Sequence, residues 1–353
     1  MAATTAAGKE IRLSGSSIAG VAACIPSQRI GNDYFVEKFG EAAVRDVVKM
    51  IGVQERRWSA PNVSTGDLCM LAGKRLLAGL DWDPASIDAI IFVSQTPNYR
   101  LPATACELQS GLGLPTHCIA FDINLGCSGY PYALWLASSM ISSGSAQRVL
   151  LAVGDVSSKM ADPDDRATGL LFGDTGTVTA VQADDGAEPA HFILGTDGAG
   201  AANLIVPEGG FKTYPAATDA RMNGKNPCRL YMDGGEIFNF TLRSVPPLVQ
   251  RTVEFAGHDR DSYDAFLFHQ ANLFMLKHLI KKSGLAADKA PINIDRYGNT
   301  SSASIPLLML TEMREALLTD RRRLAMFGFG VGYSWASASM AVGPLKCAEL
   351  IEA

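Results

Sequence analysis

Three residues far apart in the chain carry the side chains that an acyl-transfer site needs. Cys127 follows Asn-Leu-Gly, His269 follows a short apolar run, and Asn299 follows Tyr-Gly. A thiol becomes a strong nucleophile when it ionises, and a nearby imidazole or helix N-terminus lowers the pKa of a thiol. We therefore interpret the three residues as a nucleophile, its proton partner and an amide donor, and predict that Cys127 accepts an acyl group.

Cys127 is expected at the beginning of a helix. Residues 120–124 resemble the end of a buried strand, Gly126 permits a tight turn, and apolar residues recur with helical spacing over 130–141. The N-terminus of a helix favours an anion, either the thiolate or a developing oxyanion. The alternative is a small buried apolar residue, the usual fate of a free cysteine. The other six cysteines lack such a turn, and we assign them to packing.

His269 and Asn299 each have a structural alternative as well. Residues 265–268 predict a short buried strand that delivers His269 to a sheet edge, where open α/β proteins place ligands. A histidine at that position can instead be a core residue with satisfied hydrogen bonds. Asn299 precedes a Thr-Ser-Ser cluster that can cap a helix over 305–317, so turn chemistry is its alternative. The functional interpretation depends on the three side chains meeting in one site.

An internal duplication explains why they would meet. Residues 86–92 resemble residues 262–268, and residues 150–154 resemble residues 324–328 at nearly the same offset. Two similar strand-and-helix units would bring corresponding loops together across a pseudo-twofold axis. Chance similarity of short apolar strands is the alternative.

We therefore predict two halves. Residues 1–184 form an N-terminal half that carries the nucleophilic cysteine, and residues 185–353 form a C-terminal half that carries the histidine and the asparagine. The acidic, proline-containing stretch 182–189 is the expected boundary. Residues 11–24 suggest a first strand, and residues 212–226 an irregular surface loop.

The glycine-rich segment 328–332 is a further candidate. Closely spaced glycines let the backbone approach a ligand, so a main-chain N–H here could join that of Cys127 in holding a thioester oxyanion. A dinucleotide fingerprint is the competing interpretation, but the spacing is Gly-x-Gly-x-Gly and residues 333–342 continue as a strand instead of opening a helix. A plain glycine-rich turn is the other alternative.

Composition narrows the class of protein. The chain has 353 residues, 47% of them hydrophobic, with a net charge of −5 and a pI of about 5.6. Such a chain can bury a large core, has no basic field for nucleic acid, and lacks the run of roughly 18 apolar residues that a membrane span needs. Seven cysteines without paired spacing fit a reducing compartment, and no zinc signature is present. We expect a cytoplasmic protein without a metal.

Ordered motifs give the chain a close resemblance to the β-ketoacyl-acyl-carrier-protein synthase III family of the thiolase superfamily. The motifs are residues 52–57, 162–166, 172–174, 269–272 and 298–301. The resemblance implies an α/β, thiolase-like five-layered α-β-α-β-α fold from two pseudo-symmetric halves, and a homodimer. It also implies decarboxylative Claisen condensation of an acyl-CoA primer with malonyl-acyl carrier protein. No cofactor is implied, since the CoA thioester is a substrate and the phosphopantetheine is carried by the acyl carrier protein.

The resemblance also implies roles for individual residues. Cys127 would attack the primer thioester, and its N–H together with that of Val331 would form the oxyanion hole. Loss of CO₂ from the malonyl thioester would then leave an enolate held by Nε2 of His269 and Nδ2 of Asn299. Asn272 would either order the His269 loop or cap the following helix.

Positions around the pocket follow from the same resemblance. Arg166 matches a contact on the nucleotide side, and Leu101 matches the position from which the dimer partner closes the acyl pocket. Met160 and Leu170 are expected to line the same tunnel.

The chain departs from the family at its docking positions. Phe274 stands where a basic residue commonly helps to dock the carrier protein, and Asp46 and Met50 lie near the positions of the Trp and Arg that bracket the CoA adenine. Lys277, Lys281 and Lys282 could bind a phosphate or carrier instead, although a charged helix face is usually only solvated. An acyltransferase that passes the acyl group to another nucleophile in secondary metabolism therefore stays as an alternative. A non-catalytic binding subunit is the third hypothesis.

Overall fold

The computed structural model describes residues 8–215, 219–222 and 224–353. In these ranges the strands are β1 (Lys9–Leu13), β2 (Ser16–Ile25), β3 (Arg29–Gly31), β4 (Glu55–Arg57), β5 (Ala89–Val93), β6 (Ile119–Ile123), β7 (Arg148–Val156), β8 (Asp174–Ala183), β9 (Ala190–Thr196), β10 (Leu204–Ile205), β11 (Tyr231–Met232), β12 (Ala265–Phe268), β13 (Arg322–Gly330), β14 (Ser334–Val342) and β15 (Cys347–Glu352). The α-helices are α1 (Asp33–Phe39), α2 (Glu41–Ile51), α3 (Thr65–Leu80), α4 (Thr104–Gly111), α5 (Gly129–Ser142), α6 (Arg166–Gly169), α7 (Gly234–Ala256), α8 (Leu273–Lys282), α9 (Ile294–Tyr297), α10 (Ser304–Glu312) and α11 (Arg314–Thr319).

Two large sheets repeat one topology. The six-stranded sheet has the order β15-β2-β8-β7-β5-β6, and the five-stranded sheet has the order β1-β9-β14-β13-β12. In each sheet a parallel pair, β5 with β7 or β12 with β13, is followed by two antiparallel neighbours. The similar segments found in the sequence lie on these matching strands, so the predicted internal duplication is visible in the strand order.

Successive side chains along a strand point to opposite faces of its sheet and so pack against different layers. Ala265 and Leu267 of β12 pack with α5, α10 and the six-stranded sheet, whereas Phe266 and Phe268 pack with α7 and α8 on the outside. Helices α3 and α4 cover the outer face of the other sheet. The five layers are therefore helices α3 and α4, the six-stranded sheet, helices α5 and α10, the five-stranded sheet, and helices α7 and α8. Each sheet buries both of its faces in this arrangement.

Most of the predicted elements near the site are confirmed. The expected strand 265–268 is β12, and the helical spacing over 130–141 lies in α5. The strand expected from residue 333 is β14, which begins one residue later.

Two predicted elements are each divided in two. The single strand expected over residues 11–24 is broken between β1 and β2, because Gly15 adopts a φ of +84° and turns the chain. The helix expected over residues 305–317 ends at Glu312 and restarts as α11, because Met313 has φ −127° instead of a helical value.

The predicted boundary falls between β8 and β9. Each half contributes its terminal strand to the sheet of the other half, since β1 pairs with β9 and β15 pairs with β2. The division at residue 184 stays a prediction. In the expected loop 212–226, residues 216–218 and 223 lie outside the described residues, and Ala220–Met222 form a 3₁₀ turn. No helix in the described part of the chain is long and apolar enough to cross a bilayer.

Candidate active site

Cys127 lies in the turn between β6 and α5, two residues before the helix begins, as the sequence predicts. Its side chain is half-buried and lines a large cavity. Cys127 therefore lies beside the N-terminus of α5, where the helix dipole favours negative charge.

The glycine-rich segment is packed against Cys127. A Cβ atom at Gly330 would lie 2.7 Å from Cβ and 3.0 Å from Sγ of Cys127, and a Cβ atom at Gly126 would lie 3.0 Å from Cγ1 of Val331. Only glycine permits this approach. The backbone N–H groups of Val331 and of Cys127 both stabilise the sulfur as hydrogen-bond donors. Two donors therefore converge where a thioester oxygen could bind.

The Cys127 thiol is not ionised near neutral pH in the free protein. Burial, and second the negative charge of Asp155, raise the pKa of Cys127 to about 11, although hydrogen bonds from Ser301 and Val331 oppose this shift. The expectation of a lowered thiol pKa is therefore wrong for the protein without substrate, because the cost of burying a thiolate exceeds the stabilisation that these donors provide.

His269 follows β12, and its side chain is 1% exposed. Nδ1 lies 2.9 Å from the hydroxyl of Ser304 and 3.1 Å from the carbonyl oxygen of Ser301, while the ring edge packs on Phe329. With Nδ1 held by these groups, Nε2 is the ring nitrogen left for the cavity, which His269 lines. Burial lowers the pKa of His269 to about 4, so the ring is neutral at neutral pH.

Asn299 is fixed in one orientation. Its backbone N–H donates to the carbonyl of Leu171, and its carbonyl accepts from the N–H of Gly173. Its Oδ1 accepts a hydrogen bond from the N–H of Ser301 at 2.9 Å. Nδ2 donates to the carbonyl of Ala271 at 3.3 Å, which leaves its second hydrogen for the cavity. The arrangement presents an amide donor and no acceptor to a ligand.

Ser301 connects the three predicted residues, and the sequence interpretation missed it. Its N–H donates to Oδ1 of Asn299, its carbonyl oxygen accepts from His269, and its hydroxyl acts to lower the pKa of Cys127. It is buried and adopts a φ of +51°, a conformation that non-glycine residues rarely hold outside functional or tightly packed positions. The Thr-Ser-Ser run was the available signal, but it indicated only a helix cap.

The cavity has a volume of about 1080 Å³ and brings together Cys127, His269 and Asn299. Its wall is mostly apolar, which suits an acyl chain or pantetheine arm. The wall also contains Asp46, Met50, Met160, Arg166, Ile237, Phe238, Asn272, Phe274 and Val331.

Two predicted pocket residues lie elsewhere. Leu170 is fully buried in a separate apolar cluster with Phe35, and its neighbour Leu171 lines the cavity, so the prediction for Leu170 is wrong. Leu101 does not line the cavity of its own chain and is 80% exposed. Its role toward a second subunit stays a prediction.

Asn272 caps a helix. Its side chain accepts a hydrogen bond from the N–H of Met275 at 2.8 Å, which is the N-cap of α8, so the capping alternative describes its contact. Within the described ranges, no group of three or more His, Cys, Asp or Glu side chains is placed to hold a metal ion.

Two models of one family match separate segments of the chain. Residues 121–198 match "3-Oxoacyl-[acyl-carrier-protein (ACP)] synthase III", and residues 253–342 match the C-terminal model of the same family. A beta-ketoacyl-[acyl-carrier-protein] synthase III from Roseiflexus castenholzii is 33% identical over 326 residues, which cover 92% of this chain and 97% of that protein.

Solved structures match the whole architecture. A 3-oxoacyl-(acyl-carrier protein) synthase from Burkholderia xenovorans LB400 is 65% identical with a TM-score of 0.97, covering 98% of this chain and 99% of that one. A second 3-oxoacyl-(acyl-carrier-protein) synthase III is 39% identical with a TM-score of 0.86, covering 93% and 99%. The expected five-layered thiolase-like fold is confirmed.

Proposed function

Because this chain belongs to the β-ketoacyl-[acyl-carrier-protein] synthase III family, we propose that it is an acyltransferase that condenses an acyl primer with a malonyl thioester. The observation that carries the proposal is the meeting of Cys127, His269 and Asn299 in the wall of one apolar cavity. They supply a nucleophile and two hydrogen-bond donors, the groups that the proposed condensation uses. A binding subunit without catalysis would not need them together.

The first half-reaction is acyl loading. Sγ of Cys127 attacks the carbonyl carbon of acyl-CoA, a new S–C bond forms, and the bond to the CoA sulfur breaks. The N–H groups of Cys127 and Val331 stabilise the oxyanion of the tetrahedral intermediate, and a donor of this kind is typically worth about 3 kcal/mol. Both groups are already directed at the sulfur in the free protein.

The second half-reaction is decarboxylation and condensation. The malonyl thioester loses CO₂, and negative charge develops on its carbonyl oxygen. Nε2 of His269 and Nδ2 of Asn299 donate to that oxygen, and the enolate carbon then attacks the acyl group on Cys127. The amide of Asn299 keeps its hydrogen-bond donor over the neutral pH range, and the imidazole of His269 donates once a proton lies on Nε2.

The second substrate is malonyl-acyl carrier protein, and α8 offers a surface for it. Lys277, Lys281 and Lys282 are exposed on this helix, whose first turn carries Phe274 at the cavity wall. An acidic carrier protein can dock on such a basic face. The same proposal includes an acyl-CoA primer, a homodimer in which Leu101 lies at the partner's pocket, and a cytoplasmic location.

One observation favours the alternative acyltransferase. The Phe274 ring is tilted against those of His278 and Phe238, with centroids 4.2 Å and 5.5 Å away, and its side chain is 44% exposed. Phe274 places an apolar aromatic group, instead of a cation, at the cavity wall. This group is as compatible with a small acceptor of the acyl group as with a carrier protein.

Intact-mass spectrometry after incubation with a panel of acyl-CoAs tests the proposal. The wild-type protein should gain the mass of one acyl group, and Cys127→Ser should gain none. His269→Ala should still load but should not release CO₂ from a malonyl thioester. Equal loading by wild type and Cys127→Ser would contradict the proposal, and loading without use of malonyl-carrier would support the alternative.

A further inference from the structure

Three strands of the six-stranded sheet are followed by polar residues that line the cavity. Strands β5, β6 and β7 run parallel to one another, so their carboxyl ends lie at one edge of the sheet. Asn124 directly follows β6, Ser157 directly follows β7, and Gln95 lies two residues after the end of β5. All three line the cavity that contains Cys127, and we call Gln95, Asn124 and Ser157 the polar row.

The polar row lies beside the turn that carries the reactive cysteine. A Cβ atom at Gly126, the residue before Cys127, would lie 3.1 Å from Cδ of Gln95. Oδ1 of the buried Asp155 accepts a hydrogen bond from the Gln95 N–H at 2.7 Å, and Asp155 is two residues before Ser157. The backbone of Gln95 is therefore tied to the end of β7, while its carboxamide packs against the cysteine turn.

The polar groups of the row have no partner within the part of the chain that the structure describes. The Ser157 side chain is 1% exposed, and its hydroxyl makes no hydrogen bond there. The carboxamides of Gln95 and Asn124 make none with the described residues either. A buried hydroxyl without a partner is uncommon in native proteins because it costs free energy. Its position in the cavity wall points to a polar group on the ligand.

The polar row carries no charge. The charged side chains among the described residues of the wall are Asp46 on α2 and Arg166 on α6, and neither follows one of these three strands. A carboxylate or ammonium group at the row would lose its hydration without gaining an opposite charge. A hydroxyl or keto oxygen can instead form hydrogen bonds with a carboxamide or a serine hydroxyl. The row therefore suits a neutral oxygen group.

The acyl group and the CoA arm of a bound thioester extend from its reacting carbonyl carbon in different directions. In the proposed function the CoA arm lies toward Arg166 and the wall formed by α2 and α8, where Met50 and Phe274 are 53% and 44% exposed. The polar row belongs to other elements, the ends of β5, β6 and β7. It is therefore the part of the wall that is left for the acyl group.

We propose that the polar row binds a neutral oxygen substituent on the acyl group of a CoA thioester. The inference rests on the proposed function, under which the primer loaded on Cys127 is then a hydroxyacyl or oxoacyl group. A plain alkyl chain would cover the carboxamides and the hydroxyl without pairing them, and this cost discriminates against it. The row determines specificity and takes no part in making or breaking bonds.

Competition between two primers in one reaction tests the inference. The wild-type protein is mixed with equal concentrations of butanoyl-CoA and 3-hydroxybutanoyl-CoA, and intact mass gives the ratio of the two acyl-enzymes at early times. A second reaction with 4-hydroxybutanoyl-CoA places the hydroxyl one carbon further along the chain. In at least one reaction the hydroxyacyl form should lead by roughly tenfold. Equal loading, or a lead for the butanoyl form, in both reactions overturns the proposal.

Two variants assign the preference to the polar row. Gln95→Met removes the carboxamide at similar side-chain length, and Ser157→Ala removes a hydroxyl that has no partner to lose. Both should bring the ratio of hydroxyacyl to butanoyl enzyme close to one. Gln147→Met is the matched control, because Gln147 is exposed and precedes β7 at the opposite edge of the sheet, and it should keep the wild-type ratio.

The amide groups of the pantetheine arm are the other possible partners of the row. Both thioesters share that arm, so its loss of contacts in Gln95→Met and Ser157→Ala would slow both primers equally and leave the ratio at its wild-type value. An unchanged ratio in both variants therefore overturns the proposal.

Binding to a protein that does not load separates this inference from the proposed function. Calorimetric titration of Cys127→Ser should give a Kd roughly tenfold lower for the preferred hydroxybutanoyl-CoA than for butanoyl-CoA, and adding Gln95→Met should remove the difference. If the wild type loads neither thioester while this difference in Kd holds, the proposed function fails and the polar row keeps its ligand. If the wild type loads the thioesters without preference, the proposed function stands and this inference is wrong.

Discussion

The hydroxyl oxygen of Ser304 lies 2.9 Å from Nδ1 of His269 and 2.9 Å from the carbonyl oxygen of Ser301, which itself lies 3.1 Å from Nδ1. The Ser304 hydroxyl donates its one hydrogen to that carbonyl oxygen, so toward Nδ1 it can only accept. Both oxygens therefore favour the neutral tautomer that carries its proton on Nδ1, and Nε2 is unprotonated in the free protein. Donation from Nε2 to an enolate requires the ring proton to move to Nε2, or the ring to gain a second proton, during the reaction.

Ser304→Ala should leave the ring proton of His269 on Nδ1. The Ser301 carbonyl, 3.1 Å from Nδ1, still accepts that proton when the hydroxyl is gone. Nitrogen NMR of the labelled histidine should show Nδ1–H in both the wild type and the variant. Ser283→Ala is the matched control for loss of a buried hydroxyl, because the hydroxyl of Ser283 has no hydrogen-bond partner among the described residues. A wild-type ring protonated on Nε2 would refute the assignment.

Asn299→Asp should be as harmful to decarboxylation as Asn299→Ala, although it is nearly isosteric. One carboxylate oxygen can still accept from the Ser301 N–H, but the other would face the Ala271 carbonyl and the developing enolate with no hydrogen to donate. We expect a loss of roughly 100-fold or more in CO₂ release from a malonyl thioester. Acyl loading, followed by intact mass, should persist in both variants, and substantial CO₂ release by Asn299→Asp would show that the amide donor is dispensable.

Acid should destabilise the protein partly through His269. The unfolded chain binds a proton on this ring near pH 6.5, but the folded protein does so only near pH 4, because burial opposes the charged ring. The titration of His269 does not reduce the free energy of unfolding above pH 6.5. As the pH falls from 6.5 to about 4, it reduces that free energy by about 3 kcal/mol in total. Asp155 and Asp174 have raised pKa values and act in the opposite direction, so the comparison must isolate His269.

Urea unfolding of wild type and His269→Gln at pH 7 and pH 4.5 makes that comparison. The wild type should lose more stability than the variant over this interval, by most of the same 3 kcal/mol. Equal losses in the two proteins would mean that His269 is solvated enough to titrate normally in the folded state.

The meeting of Cys127, His269 and Asn299 in one cavity could be predicted from sequence because each residue follows a strand or turn with a strong local pattern. Cys127 follows a glycine turn before a helix, and His269 follows a fully apolar strand that became β12 unchanged. Asp155 follows the buried run 150–154 in the same way, so the signal for an acidic residue at a sheet edge was available but was not used.

Other features depend on tertiary contacts that no local pattern contains. Ser301 is central because its backbone and hydroxyl meet side chains from both halves of the chain, and its φ of +51° is set by those contacts. Arg56 belongs to a motif that suggested function, yet it is wholly buried and donates to Ile30, Asn32 and Leu170. Its Cβ packs beside Gly298 while its guanidinium binds these other segments, so this motif contributes to structure near the site.

Gly330→Ala should inactivate acyl loading without unfolding the protein. The added Cβ would lie 2.7 Å from Cβ and 3.0 Å from Sγ of Cys127, and such distances force the cysteine or the β13 end to move. Because the oxyanion donors sit on these same two segments, a shift of a few tenths of an ångström misplaces Val331 relative to the sulfur. Loading should fall roughly 100-fold in stopped assays with acyl-CoA followed by intact mass.

Gly210→Ala, where an added Cβ meets no atom within 4 Å, is the control and should load normally. Thermal unfolding should show a folded protein in both cases; a fully active Gly330→Ala would mean that the two loops do not need their close contact for catalysis.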